Sequence, residues 1–306
     1  MKNSFNVILR DISSLKVQGA ENVSKTAVKA IKMVAKSSKG SSPVKIKSEL
    51  RDAAKKLVGT RPTEPAMRNS LKYVLNNLNN HDSEKIKKEV YEKSNYVLQH
   101  FEEGQKKIVD YAEKKIKKDS VIFTHCHSST VVSVLTMASK NGKNFTVCNT
   151  ETRPLLQGRK TALELSKNNI AVKHYVDSAA MVAMKKADIC IFGADSIQSD
   201  GRVVNKIGTG LFVELAIKHD IPVFFCMNSW KFDPLTIFGF DEPIELRPKK
   251  EVWNTRARNV DIKNPAFEFI EPQKITGIIS EFGVYCPNIF GELTNKYYPW
   301  MRESIY

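Results

Sequence analysis

The sequence has 306 residues, 42% of them hydrophobic and 26% charged, which excludes a disordered or fibrous chain and gives room for one large or two ordinary domains. The net charge of +15 sits mostly in front, where residues 1–119 hold 26 Lys and Arg against 14 Asp and Glu; these lysines alternate with glutamates and lack aromatic partners, so a solvated helical surface explains them better than nucleic-acid binding. No apolar run approaches the roughly 18 residues of a membrane span, and the opening MKNSFNVILRDISS lacks a signal-peptide core, so a soluble cytoplasmic protein is expected.

From Ser14 to Lys118 apolar residues recur at three and four positions, as in Val23, Ala27, Ala30, Ile31 and Val34, and again in Val90, Val97, Phe101, Ile108 and Tyr111. This predicts a helical domain over 1–119, broken at residues 39–43, 59–63 and 76–83. At Val121 the pattern changes to short apolar runs: VIFTHC, FTVCNTE, AVKHYV, ICIFGAD and PVFFCMN. Amphipathic stretches such as Gly158–Asn168 and Gly208–Lys218 lie between them. That alternation predicts an α/β fold, with a Rossmann-like, mainly parallel sheet domain over 120–306.

Ligands of such sheets bind beyond the carboxyl ends of the strands. Those ends carry His125-Cys126-His127-Ser128-Ser129, Glu151-Thr152-Arg153-Pro154, Asp177-Ser178 and Gly193-Ala194-Asp195-Ser196. Neither GxGxxG after the first strand nor GxxxxGKS/T occurs, which removes dinucleotide and triphosphate sites of the usual kind. The helix opening at Lys206-Ile207-Gly208-Thr209-Gly210 offers backbone N–H groups to a phosphate.

Five cysteines, at 126, 148, 190, 226 and 286, contain no CxxC pair, so neither a disulfide framework nor a zinc site is expected. Cys148, Cys190 and Cys226 lie inside apolar strands and read as inert buried thiols. Cys126 instead ends a strand and precedes a helix start at Ser128-Ser129, whose dipole would favour a thiolate. Strand alternation would put His125 and His127 on one face and Cys126 on the other, so no single ion takes all three. Asp195 follows IFGA at a second strand end, a partly apolar setting that raises a carboxyl pKa and suits acid/base work; capping a turn is the plainer role.

Six motifs in order carry a wider signal: TRPTEP at 60–65, THCHSS at 124–129, TETRPLLQG at 150–158, VDSAA at 176–180, GADSI at 193–197 and NKIGTG at 205–210. With KNPAFEFIEPQKITGIISEFGV at 263–284, they resemble the superfamily that joins regulatory subunits of translation initiation factor 2B to two sugar-phosphate isomerases. The match is nearest to the archaeal ribose 1,5-bisphosphate isomerase branch; the other isomerase acts on 5-methylthioribose 1-phosphate.

The resemblance implies an aldose-ketose isomerase of nucleotide salvage and AMP metabolism, with Cys126 and Asp195 as catalytic pair and no metal or redox cofactor. It implies substrate contacts from Arg61, Ser128, Arg153, Gln157, Asn205, Lys206 and Lys231, and assembly as a homo-oligomer, dimer or hexamer. Gln18-Gly19-Ala20 stands where the isomerases carry Arg-Gly-Ala, so these three belong to the expected substrate site with one phosphate-binding arginine missing. Glu64-Pro65-Ala66-Met67-Arg68-Asn69 also departs from the family's AVSLPNA-like run, and Arg68 is a candidate to replace the lost charge. The alternative implied by the same resemblance is a non-catalytic regulatory subunit that binds a sugar phosphate or nucleotide together with a translation factor.

Overall fold

The computed structural model describes residues 2–38, 42–79, 82–241 and 243–303. The front of the chain forms α1 (Lys2–Ser13), α2 (Ala20–Ser37), α3 (Pro43–Thr60), α4 (Pro65–Leu75) and α5 (Ser83–Glu113). Pro43 and Pro65 open α3 and α4, where a missing N–H breaks no helical hydrogen bond. Ser42 caps α3 by accepting from the Lys45 N–H, and Asp82 caps α5 by accepting from Glu84 and Lys85.

Helix α1 precedes the stretch where helical periodicity was expected. Phe5, Ile8, Leu9 and Ile12 form its apolar stripe against the core, and Ser14–Gly19 is the connection, with Leu15 and Gly19 at positive φ. The expected break at 59–63 separates α3 from α4. Residues 39–41 of the first break and 80–81 of the third lie outside the described residues.

Strands begin at β1 (Ser120–Thr124), followed by α6 (Ser129–Lys140), β2 (Phe145–Thr150), α7 (Gln157–Lys167), β3 (Ala171–Tyr175), α8 (Ala180–Met184) and β4 (Ile189–Gly193). Then come β5 (Ser196–Ile197), β6 (Val203–Lys206), α9 (Thr209–Lys218), β7 (Val223–Cys226), β8 (Phe267–Ile270), β9 (Gly277–Ser280), β10 (Gly283–Tyr285) and α10 (Phe290–Tyr297).

Among the described residues seven strands form one sheet in the order β10-β9-β7-β4-β1-β2-β3, parallel except for β10. Counted along its parallel strands this is the Rossmann order, third-second-first-fourth-fifth-sixth, which reverses direction between β1 and β4. Strands β5, β6 and β8 form a small antiparallel sheet beside it.

The parallel strands alternate between two apolar layers, as their pleat requires. Phe123, Phe192, Phe225 and Ile278 face the cluster shared with the helical bundle. Ile122, Ile191, Phe224 and Ile279 face a second cluster, closed by α6 and the far end of α5. Helix α5 joins both: Val90, Val97 and Phe101 lie in the first cluster, Ile108 and Ala112 in the second. At 31 residues it is about 46 Å long, enough to span them. Helices give way to strands between Glu113 and Ser120, and the larger apolar cluster crosses that change without a gap. Among the described residues no helix is long and apolar enough to cross a membrane.

Candidate active site

The cleft lies where the strand order reverses. The chain leaving β1 carries Cys126 into it and the chain leaving β4 carries Asp195; both line the same cavity. Gly193, the last residue of β4, is what lets them approach: a Cβ there would lie 2.6 Å from the Cβ of Ser128, the residue capping α6. Gly158 does the same on the next strand, since a Cβ at 158 would lie 1.7 Å from the Thr150 carbonyl oxygen. Helix α7 therefore closes tightly onto β2 and brings Gln157 to the cleft.

Strand β1 ends at Thr124, one residue before the histidine, and Cys126 adopts a left-handed backbone at φ 64. The expected alternation is thereby broken, and His125, Cys126 and His127 all line the cleft. The left-handed turn is clamped from both sides. Cys126 N–H donates to Thr152 Oγ1 at 3.0 Å, and Thr161 Oγ1 donates to the Cys126 carbonyl at 2.8 Å. A non-glycine residue in this conformation persists only where its surroundings over-determine it, as at many functional sites.

His125 is fully used. Its Nε2 lies 3.1 Å from the Ile207 carbonyl, which can only accept, so Nε2 carries the hydrogen and Nδ1 accepts from Thr150 Oγ1 at 2.6 Å. Burial pushes its pKa down to about 4, so the ring is neutral and acts as a strut.

The Cys126 thiol is pushed up by burial to about 11, with Lys206 the largest opposing influence. The thiolate expected from the α6 dipole is therefore not the resting form. Burial also raises the Asp195 carboxyl, against Lys231, Lys206 and Arg61. Burial thus shifts both groups toward their protonated forms, and the cations nearby oppose that shift and stabilise the anions once protons move.

Two helix starts point into the cleft. Gly19, at φ 85, precedes α2 without a side-chain cap, and Gly19, Ala20, Glu21 and Asn22 line the cavity, leaving first-turn N–H groups without a capping side chain. Ser128, Ser129 and Thr130 bring the start of α6 to the same cavity. Among the described residues the lining cations are Arg61, Lys160, Lys206, Lys231 and Arg247, and the lining acids are Glu21, Glu64, Asp195, Glu245 and Glu251. Lys231 is buried with Nζ 2.5 Å from the Ala194 carbonyl. Asn205 is 5% exposed and its Nδ2 lacks a hydrogen-bond partner, an open donor in the cleft wall.

Of the residues expected at the site, Gln18, Gly19, Ala20, Arg61, Cys126, Ser128, Gln157, Asp195, Asn205, Lys206 and Lys231 line this one cavity. Arg153 does not. Thr152 turns the chain at φ 65, Asp177 takes the backbone N–H groups of Thr152 and Arg153, and the guanidinium is directed outward to the Val252 carbonyl at 3.1 Å. Arg68 does not replace the missing charge either, because it pairs with Asp233 at 2.7 Å and with the Pro62 carbonyl outside the cleft. The start of α9 is also no open phosphate cradle: Glu268 accepts the Gly210 N–H at 2.9 Å, and of that motif Asn205, Lys206 and Ile207 reach the cavity.

Sequence reasoning missed Glu64 as a site residue, along with Glu245, Arg247 and Glu251. Glu64 had one signal, its place three residues after Arg61 within a motif otherwise shared. The other three lie in a segment held by short 3-10 turns and one bridge, Leu246 to Pro265, without periodicity to read.

The initiation factor 2 subunit family model matches residues 16–287. The ribose 1,5-bisphosphate isomerase of Pyrococcus furiosus is 34% identical over 304 residues, covering 96% of this chain and 94% of that protein. The methylthioribose-1-phosphate isomerase of Dehalococcoides mccartyi is 30% identical over 301 residues, covering 92% and 90%. The crystal structure of the Pyrococcus horikoshii OT3 translation initiation factor eIF-2B superposes with a TM-score of 0.82 at 25% identity, covering 93% of this chain and 97% of that one. Motif order, strand order and these full-length matches agree, and the chain belongs to the initiation factor 2 subunit family.

Proposed function

We propose that the protein is a ribose 1,5-bisphosphate isomerase, converting that furanose to ribulose 1,5-bisphosphate. One observation carries the reading: Cys126 and Asp195 enter one cleft from the two strands that flank the sheet's reversal point, between two helix starts. A substrate with a phosphate at each end needs two anion sites, and the starts of α2 and α6, with Lys206 and Arg61, supply positive groups along the cleft. The relatives named as this isomerase, among them that of Pyrococcus furiosus, support the same substrate.

The chemistry balances on this pair. Cys126 as thiolate takes the C2 proton, the C1–O4 ring bond breaks, and Asp195 gives its proton to O4, leaving an enol phosphate across C1 and C2. The enol hydroxyl then returns a proton to Asp195 while the Cys126 thiol protonates C1, which restores both groups and forms the ketone. Asp195 starts protonated, in keeping with its raised pKa; Cys126 must first lose a proton that burial holds tightly, and Lys206 is the cation placed to favour that loss.

The active form is read as a homo-oligomer. Phe238, Phe240, Leu246 and Trp253 are each more than half exposed within one stretch of chain, apolar side chains that a second copy would cover. The decisive test is NMR of purified protein with ribose 1,5-bisphosphate. Appearance of the ribulose 1,5-bisphosphate keto carbon supports the reading, and binding without any turnover overturns it.

A further inference from the structure

Arg61 is already claimed inside the cleft. Its NH2 group lies 2.8 Å from Glu64 Oε1 and its Nε 3.3 Å from Glu245 Oε2, while Arg247 ties Glu245 to Glu251 at 2.9 and 2.8 Å. Arg61 is 6% exposed and Glu64 is 1% exposed, so this pairing is buried in the wall that lines the cavity. The second carboxyl oxygen of Glu64 has no hydrogen-bond partner. A dianion arriving on Arg61 would meet that oxygen as a like charge in a dry site, where two adjacent anions do not both stay ionised. Protonated, the same oxygen becomes a donor that hydrogen-bonds the incoming anion.

We propose that Glu64 sets the anion specificity of the Arg61 end of the cleft: capture of a phosphate there requires uptake of one proton by Glu64. This rests on the reading of Arg61 as a phosphate contact in the proposed isomerase. The groups facing Glu64 are Arg61 from its own turn, Asp195 beyond β4, Lys231 beyond β7 and Glu245 from the chain before β8. Burial, with Asp195 and Glu245 adding to it against Arg61 and Lys231, holds the Glu64 carboxyl at about 7, so the proton is available near neutrality. The carboxyls on Arg61 make this end selective for a ligand that recruits a proton.

Sulfate is the probe, because it stays a dianion from pH 6 to 9. Calorimetry on the wild type should show sulfate affinity falling by about tenfold per pH unit above 7 for one linked proton. Heats in buffers of different ionisation enthalpy should give an uptake approaching one proton at pH 8. Glu64→Gln should bind sulfate with a flat pH profile and no uptake, whereas Asp195→Asn should keep the slope. A flat wild-type profile overturns the proposal without reference to any variant, and so does a slope that survives in Glu64→Gln or disappears in Asp195→Asn. Turnover separates the two readings: activity with a flat sulfate profile leaves the isomerase standing and removes the proton link, while a slope without turnover does the reverse.

Discussion

Gly193 at the end of β4 leaves the space that Ser128 fills at the start of α6, with 2.6 Å separating the Ser128 Cβ from the place a Cβ at 193 would take. The same contact sets the distance between the segments carrying Cys126 and Asp195, two residues to either side. Gly193→Ala therefore must push the α6 start away from β4. We expect a loss of roughly 1–3 kcal/mol in stability and a larger proportional loss in turnover than in folding, measured by chemical denaturation beside kcat. Unchanged kcat in a destabilised variant would separate this contact from catalysis.

Cys126→Ser should keep the clamp from Thr152 and Thr161, which holds the backbone and not the side chain. A hydroxyl is far less acidic than a thiol, so the proton at C2 has no base. Turnover should fall by roughly 10²-fold or more, with ligand affinity by calorimetry within a few fold of wild type. Near-normal turnover in the serine variant removes Cys126 from the mechanism.

The sheet and its reactive ends were legible because buried parallel strands are short, mostly apolar runs and because such folds keep their ligands at one edge. VIFT, FTVCN, ICIFG and VFFC all became strands. Strands β5, β6 and β8 were not legible, being two to four residues long and set in a small antiparallel sheet. The outward direction of Arg153 was not legible, because it depends on the left-handed turn at Thr152 and on Asp177, a partner 24 residues away. The same limit applied to Cys126: a helix start nearby suggested a thiolate, but burial pushes the thiol up, and burial is a property of the folded surroundings.

Gln18 lies exposed at the cleft beside the open start of α2, its amide donating to the Leu15 carbonyl at 2.7 Å. Arginine at this position would add a charged donor where the first-turn N–H groups already favour an anion. Gln18→Arg should lower KM for the bisphosphate by about tenfold, the effect of one charge-assisted hydrogen bond of about 1.5 kcal/mol, with kcat little changed. No change in KM would mean that the phosphate does not reach this helix start.

The catalytic pair needs one proton between its two members, which sets the pH dependence of kcat. Below the raised Asp195 value both are protonated and activity falls; above about 11 both are ionised and activity falls again. The wild type should show a plateau between these limits. Asp195→Asn should cut kcat by roughly 10²-fold and remove both wild-type limbs, leaving a kcat that rises with pH until the thiol ionises near 11, because the remaining thiol titrates alone. A variant that keeps both the acid limb and wild-type kcat shows that the limb belongs to another group.

Glu64 also makes a prediction for the empty protein. Its folded pKa, raised from 4.5 to about 7 chiefly by burial, lies above the unfolded value, so the neutral carboxyl is the form the fold favours. The corresponding stability is present below about 4.5 and is lost as pH rises through about 7. The difference corresponds to at most about 3 kcal/mol, shared in part with Asp195. Glutamine has the shape of the neutral acid and never ionises. Glu64→Gln and the wild type should therefore unfold within about 1 kcal/mol of each other at pH 5, whereas at pH 8 the variant should be the more stable by about 1–3 kcal/mol, a rise in Tm of several degrees. Thermal denaturation at the two pH values, without ligand or sulfate, measures this directly. Should the variant be the less stable at pH 8, the ion pair with Arg61 outweighs burial, and Glu64 is held as a carboxylate.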